Sequence, residues 1–309
     1  MSAGYHSGEI AVQERAGTRG AAARISRSLQ RAIPPAAADF LAARPAVFLG
    51  GADRAGRVWA TVVTGSRGFA RSIDPALVEL RIPSARGDPL LEELRPGAPL
   101  GLLAIDFATR RRVRVNGHIE EIGPPGLSLR VDEVLSNCPK YIAARDEVVP
   151  APPRVAAAEV HTEITSPIRA LIEGTDTFFL ASIHASRGAD VSHRGGAPGF
   201  VRVTGPRTLA WPDYRGNGMF QSLGNLESDP RAGLLVLDPE HGESLHVTGT
   251  AHTVWDATEA AAWPGAERVV VFDLLEARRR PAALPWEAGP GLPSPFTPAL
   301  TNPHGGEHG

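Results

Sequence analysis

The chain has 309 residues, 42% of them hydrophobic, enough for two domains of ordinary size with real cores. Its formal net charge of -2 gives no electrostatic case for nucleic acid or an anionic membrane as partner. The single cysteine, Cys138, excludes an intrachain disulfide and a multi-cysteine metal site. No histidine spacing points to a metal, no run is long enough to span a bilayer, and the N-terminus lacks an apolar signal core. The expectation is a cytoplasmic protein whose partner is a small-molecule substrate or electron donor, with no metal and with further homodimerisation left open.

In chain order, residues 1–45 read as an N-terminal arm with short helices. Ile25, Leu29 and Ile33 stand at helical spacing and predict a helix over 21–33, stopped by Pro34-Pro35. A second short helix is predicted over 36–44. From Ala46 the period changes to that of strands. Val47–Gly50, Val58–Val63, Val78–Ile82, Leu100–Asp106, Arg112–Glu120 and Leu127–Val134 are β-branched or alternating runs with turn residues between them. They assign residues 46–149 to a first β domain. The Pro/Ala stretch within 150–160 reads as a linker. A helix is predicted over His161–Glu173, where Thr162-Glu163 and Ser166-Pro167 both supply start signals. Strands resume at Thr177–Ser182, Phe200–Val203, Arg207–Trp211, Gly233–Asp238, Ser244–Val254 and Val269–Leu275, so 161–279 reads as a second β domain. The Pro/Gly-rich tail, 280–309, reads as partly disordered.

The two halves repeat each other. Phe48-Leu49 parallels Phe179-Leu180, Gly56 parallels Gly188, and Gly68-Phe69 parallels Gly199-Phe200. The run Gly101–Asp106 parallels Gly233–Asp238, and Val113–Gly117 parallels Leu245–Gly249. Such matches, in one order and at nearly constant spacing, are hard to explain except by duplication. Short antiparallel strands at this spacing predict a mainly β fold of two small barrels with flanking helices, packed as an intrachain pseudo-dimer. A ligand site is expected between them.

The copies differ in polar chemistry. The second carries Asp190, Ser192 and Arg194 on one strand, then Arg215, Asn217, Ser222 and Asn225 among glycines. Guanidinium, hydroxyl and amide donors beside a closely approaching backbone suit a phosphate. Alternation along the strand turns His193 away from Ser192 and Arg194. The first copy has Arg86-Gly87-Asp88-Pro89 in the later stretch, where Asp88 would repel a phosphate. On the earlier strand, Val58–Val62 is read as the counterpart of Asp190–Arg194. One cofactor per chain is expected, with the first copy as partner wall and Lys140 and Tyr141 closing over the interface. Arg110-Arg111-Arg112 reads as a solvated hairpin end.

The run Asp190–Gly196 with Pro198–Val203, and Pro212–Asn217 running into Ser222–Asn225, resemble the pyridoxamine 5'-phosphate oxidase-like family of FMN-binding split barrels. His6–Glu9 and Asn137–Ile142 resemble a two-barrel, flavin-nucleotide-binding branch of it. The resemblance implies tandem split barrels with FMN between them and an oxidoreductase acting on an unidentified small molecule. It implies Arg194 as phosphate ion pair and Ser192 as phosphate or ribityl donor. Asp190 belongs to the same flavin-contacting strand, and Asn217, Ser222 and Asn225 to a second phosphate-contacting segment. The flavin ring carries the redox chemistry, so no catalytic side chain is assigned. The Ser-Arg-Lys run of pyridoxamine phosphate oxidase itself has no counterpart, so vitamin B6 oxidation is not the implied activity. A non-catalytic flavin-binding module, or a relative using deazaflavin or haem, are the alternatives.

Overall fold

The computed structural model describes residues 4–82, 86–136, 139–146, 149–150, 157–239, 241–281, 286–287 and 289–299. The N-terminal arm folds into α1 (Ser7–Arg15), α2 (Arg19–Ile25) and α3 (Pro35–Ala42). The helix predicted over 21–33 is cut short. The hydroxyls of Ser26 and Ser28 donate to the carbonyls of Ala23 and Ile25, a local bonding pattern that competes with helix propagation. Leu29 is extended, and Gln30 bridges to Val134 instead.

The first half then forms β1 (Ala46–Ala52), β2 (Val58–Thr64), β3 (Ala70–Asp74), β4 (Leu77–Arg81), β5 (Pro99–Asp106), β6 (Arg111–Gly123) and β7 (Gly126–Ser136). After β8 (Val149–Pro150) and β9 (Glu159–His161), the second half forms α4 (Ser166–Gly174), β10 (Thr177–His184), β11 (Gly188–Gly195), β12 (Arg202–Val203) and β13 (Thr208–Tyr214). It ends with α5 (Gln221–Ser228), β14 (Arg231–Asp238), β15 (Glu243–Val254), α6 (Ala257–Ala261), β16 (Ala266–Arg280) and β17 (Trp286–Glu287). Helix α4 starts at the Ser166-Pro167 signal. His161 lies on β9, paired with β16, so the helix predicted from 161 loses its first five residues to a strand and its connection.

The two sheets have one strand order. It runs β2-β1-β5-β6-β7-β4-β3 in the first and β11-β10-β14-β15-β16-β13-β12 in the second. Even an irregularity recurs. The β6–β7 register shifts between Asn116 and Gly117, and the β15–β16 register shifts between Thr248 and Gly249. A Cβ on Gly117 would strike the carbonyl of Arg130, and one on Gly249 that of Asp273, so both bulges need glycine. Each sheet curls round its own apolar interior. Trp59, Leu80, Leu102 and Leu129 are buried in the first and Phe178, Trp211, Leu234 and Phe272 in the second.

The outer faces of β1, β2 and β5 pack against those of β10, β11 and β14. At the centre, Phe48 and Phe179 stack with centroids 3.5 Å apart. They are counterparts, so a pseudo-twofold axis passes between them. Close approaches recur about it. A Cβ on Gly101 would come within 2.9 Å of the Asp190 backbone, and one on Gly233 within 2.6 Å of the Trp59 backbone. Phe48 lies opposite Val62, and Phe179 opposite His193. The counterpart of Asp190–Arg194 is therefore Trp59–Val63, one residue later than the sequence alignment placed it.

Candidate functional site

Strand β11 lies at one edge of the second sheet, and alternation puts Asp190, Ser192 and Arg194 on one side of it. Across the interface, β6 carries Arg112 and Arg114, also two residues apart. Between them opens a cleft lined by Ser192, Arg194, Asp213, Asn217 and the first turn of α5, and closed on the other side by Arg112, Arg114, Lys140 and Tyr141. It counts about 880 Å³ of empty space, open solvent included.

A linked polar layer forms the floor. Arg114 meets Asp190 at 2.5 Å, with both side chains buried. Ser222 donates to the other Asp190 oxygen at 3.1 Å, and its hydroxyl lies 2.9 Å from that of Ser192. Arg114 also donates to Gln221 Oε1 at 3.0 Å, and Gln221 Nε2 donates to Glu133 at 2.8 Å. Beside this layer Arg194 and Arg268 flank the buried Asp213, at 3.9 Å and 3.2 Å. Burial pushes the Asp213 carboxyl above its ordinary range even with two arginines beside it. His193 points to the other side of β11, edge-on against Phe179, and burial drives its pKa well down, so it is neutral.

The loop before α5 turns at Gly218 and Phe220, whose φ angles are 76° and 57°. Helix α1 anchors this loop from behind. Gln13 donates to the Met219 carbonyl at 2.9 Å and Thr18 to that of Gly218 at 3.3 Å. Gln221, Ser222 and Leu223 then present the helix start to the cleft. First-turn amides lack intrahelical acceptors and favour an anion.

Tyr141 forms a roof. Its φ is 65°, its ring stacks on Tyr214 at 5.1 Å, and its hydroxyl donates to the Arg215 carbonyl at 3.0 Å. Burial raises the Tyr214 hydroxyl to about 12. The tail holds the roof. Leu292 and Ala144 exchange backbone bonds of 2.8 and 2.7 Å, Ser294 Oγ accepts from the Tyr141 amide at 3.2 Å, and Lys140 sits over the Phe296 ring. The segment 289–299, read from sequence as part of a partly disordered tail, is thus a strap across the first barrel's contribution to the cleft. Residues 300–309 and Cys138 lie outside the described residues.

Six of the nine expected contacts line the cleft: Ser192, Arg194, Asn217, Ser222, Lys140 and Tyr141. Three do not. Asp190 is consumed by Arg114 and Ser222 in the floor. Arg215 is exposed and contributes its carbonyl to Tyr141. Asn225 is buried one turn down α5, between His6 and Ser182. Sequence reading missed Arg112, Arg114, Asp213 and Gln221. The signal available was the alternation Arg112-Val113-Arg114-Val115, which carries the basic run past the hairpin end into a half-buried strand. Among the described residues, no three His, Cys, Asp or Glu side chains are arranged to hold a metal ion. No helix among them is long and apolar enough to cross a membrane.

Residues 164–283 match the family profile described as Pyridoxamine 5'-phosphate oxidase. No curated protein matches the chain. Among solved structures, HupZ of Group A Streptococcus matches at 16% identity and a TM-score of 0.32, over 41% of this chain and 99% of that one. An FMN-binding protein from Syntrophomonas wolfei matches at 12% identity and a TM-score of 0.26, over 36% and 82%. A protein of the pyridoxinephosphate oxidase family from Clostridium acetobutylicum, related to general stress protein 26 of B. subtilis, matches at 11% and 0.28, over 38% and 88%.

Proposed function

We infer, from the premise that the second barrel is a pyridoxamine 5'-phosphate oxidase-like split barrel, that the chain binds one FMN in the cleft between its barrels and is an oxidoreductase acting on a small molecule. The observation that carries this reading is the cleft itself. Arg112, Arg114, Arg194 and Lys140 surround it, against one lining carboxylate, Asp213. Buried atoms of its lining, Arg114 Nε and the Tyr214 hydroxyl, have no hydrogen-bond partner among the described residues, and a ligand would satisfy them. The hydroxyls of Ser192 and Ser222 and the first turn of α5 suit a phosphate group.

In this reading Arg194 and Arg112 hold the phosphate, and Arg114, fixed by Asp190, presents its remaining donors from below. Ser192 and Ser222 donate to phosphate or ribityl oxygens. Tyr141 and Tyr214 cover the cleft and exclude water. A bound flavin supplies the hydride or electron chemistry, and the chain supplies position and electrostatics. The duplication read in the sequence accounts for the second barrel's counterpart, which became the partner wall. The test is the absorption spectrum of the purified protein with mass identification of any released cofactor. Released FMN supports the reading. A colourless protein that takes up no added FMN, or one that releases a deazaflavin or haem, overturns it.

A further inference from the structure

On the far side of the Asp190–Gln221 layer lies a second pocket, between the N-terminal arm, the β10–β11 hairpin and the β6–β7 pair. Unlike the first, it is lined by more carboxylates than arginines. Glu133 and Asn116 are direct partners across β6 and β7 and present a carboxylate and a carboxamide side by side. Glu9 reaches the same pocket from α1. Asn116 is about nine-tenths buried, and its Oδ1 has no hydrogen-bond partner among the described residues. An orphaned buried acceptor calls for a donor.

The pseudo-twofold axis supplies an internal control. The β6–β7 and β15–β16 ladders make Glu276 the counterpart of Glu133, and Thr248 that of Asn116. Glu276 is neutralised twice, by Arg57 at 2.8 Å and Arg278 at 2.7 Å. Glu133 has Arg187 at 3.9 Å, and Arg187 also donates to the Gly4 carbonyl. The ladder counterpart of Arg278 is Leu135, a buried leucine that brings no charge. Arg31 and Asp132 line the pocket as well, and the cations that act on the Glu133 carboxyl are Arg187 and Arg114. Asp190 is paired with Arg114, Arg231 with Asp229, and His6 and His184 are held neutral by burial. Burial lifts Glu9 to about 7 and Glu133 above the usual carboxylate range, and the Asp190 charge adds to both.

We propose that this pocket binds the cationic nitrogen of a small ligand, an ammonium or amidinium group, between Glu133, Asn116 Oδ1 and Glu9. Such a group brings both the positive charge that Glu133 lacks relative to Glu276 and the hydrogens that Asn116 Oδ1 needs. Because Gln221 and Asp190 line both the dividing layer and this pocket, the ligand would sit one polar layer from the cleft. This binding does not rest on the flavin reading above.

Calorimetry with methylammonium, benzylammonium and benzamidinium, with benzyl alcohol and benzoate as controls, tests this on flavin-free and on FMN-loaded protein. At least one cation is expected to bind one to one, and the controls not at all. Glu133→Gln, which keeps the shape and an acceptor, should weaken that binding about tenfold. Asn116→Leu should weaken it independently. Binding of none of the three cations at about millimolar concentration, or equal binding of benzylammonium and benzyl alcohol, overturns the proposal. So does binding that Glu133→Gln leaves unchanged in a variant with native circular dichroism. Cation binding to flavin-free protein is read separately from FMN uptake, so either reading can fail alone.

Discussion

The two halves present the same two surfaces to each other, yet among the described residues the two resulting clefts are lined by different polar groups. In the second half, the hydroxyl of Ser192 faces that of Ser222 beneath a cleft ringed by arginines. In the first, the counterpart Thr61 donates to Asp88, which also accepts the amides of Leu90 and Leu91 at 2.9 Å each. Arg280 approaches the same carboxylate at 3.7 Å. Where Arg114 reaches out of the first barrel, the second has His246, buried and bonded to the Ala60 carbonyl at 3.1 Å. Where Asp190 receives that arginine, the first barrel has Trp59. One cleft thus spends its polar groups on each other, and its carboxylate closes the circuit. The other gathers arginines round a cleft, each with a partner in the wall. With shared topology, a few substitutions at equivalent positions separate the proposed ligand site from a structural contact.

The largest expected effect comes from breaking the pair that crosses the axis. Arg114→Met leaves Asp190 buried beside Ser222 without its cation. This should cost about 3–5 kcal/mol of stability in urea unfolding, because an uncompensated buried charge is severely destabilising. A loss under about 1 kcal/mol would mean that the pair is solvated. Arg194→Ala sharpens the comparison at the ligand. FMN affinity should fall more than tenfold, a loss of about 1.5–3 kcal/mol, read apart from any shift in the unfolding midpoint, since Asp213 loses one of its two arginines. Asp88→Ala is the mirror experiment. It should destabilise the fold by about 2 kcal/mol, through lost hydrogen bonds and the loss of a partner for Arg280, and leave FMN affinity as it was. An affinity loss equal to that of Arg194→Ala would put a ligand in the wrong cleft.

The smallest effect is a pH dependence at the arm. Burial raises Glu9 from 4.5 to about 7, with Glu133 and Asp190 adding to the rise and the His6 amide and Arg187 opposing it. The folded chain therefore holds this proton more tightly than the unfolded chain. Its contribution to stability is lost as pH climbs from about 4.5 to about 7. His6, lowered to about 4 mainly by burial, has the opposite slope below about 6.5. Glu9→Gln removes only the first term. Its stability relative to the parent chain should grow by roughly 1–2 kcal/mol between pH 5 and pH 8. A difference that is flat with pH would remove Glu9 from the buried groups.

Much of this was legible in the chain. Alternating β-branched runs give most strands, and the repeated Gly-Leu-Leu strand gives the two-barrel plan before any coordinates. Ser192, Arg194 and Ser222 stand out because hydroxyls and a guanidinium among glycines have no packing reason to be there. What failed has physical causes. The match of Gly56 with Gly188 is real at the level of backbone, since both have φ near 81°. The ladders nevertheless set Gly188 opposite His184, whereas Asp53 faces Arg57. The hairpins turn at different steps, and the alignment slips by one, enough to exchange the two faces of a strand. That slip hid the equivalence of Trp59 with Asp190. Arg114 escaped notice because its partner lies 76 positions away on another barrel. Only tertiary structure brings the two together. Arg215 and Asn225 stand outside the cleft lining, since proximity in sequence to Asn217 and Ser222 does not survive the turn at Phe220 or the one-turn rise of α5.

The central claim is that only one of two equivalent clefts takes the cofactor. Titration of flavin-free protein with FMN, followed by absorbance and protein fluorescence, counts the sites directly. The account predicts saturation at one FMN per chain, and loss of that site in Arg194→Ala but not in Asp88→Ala. Saturation at two per chain, or tight binding that survives Arg194→Ala, would contradict it.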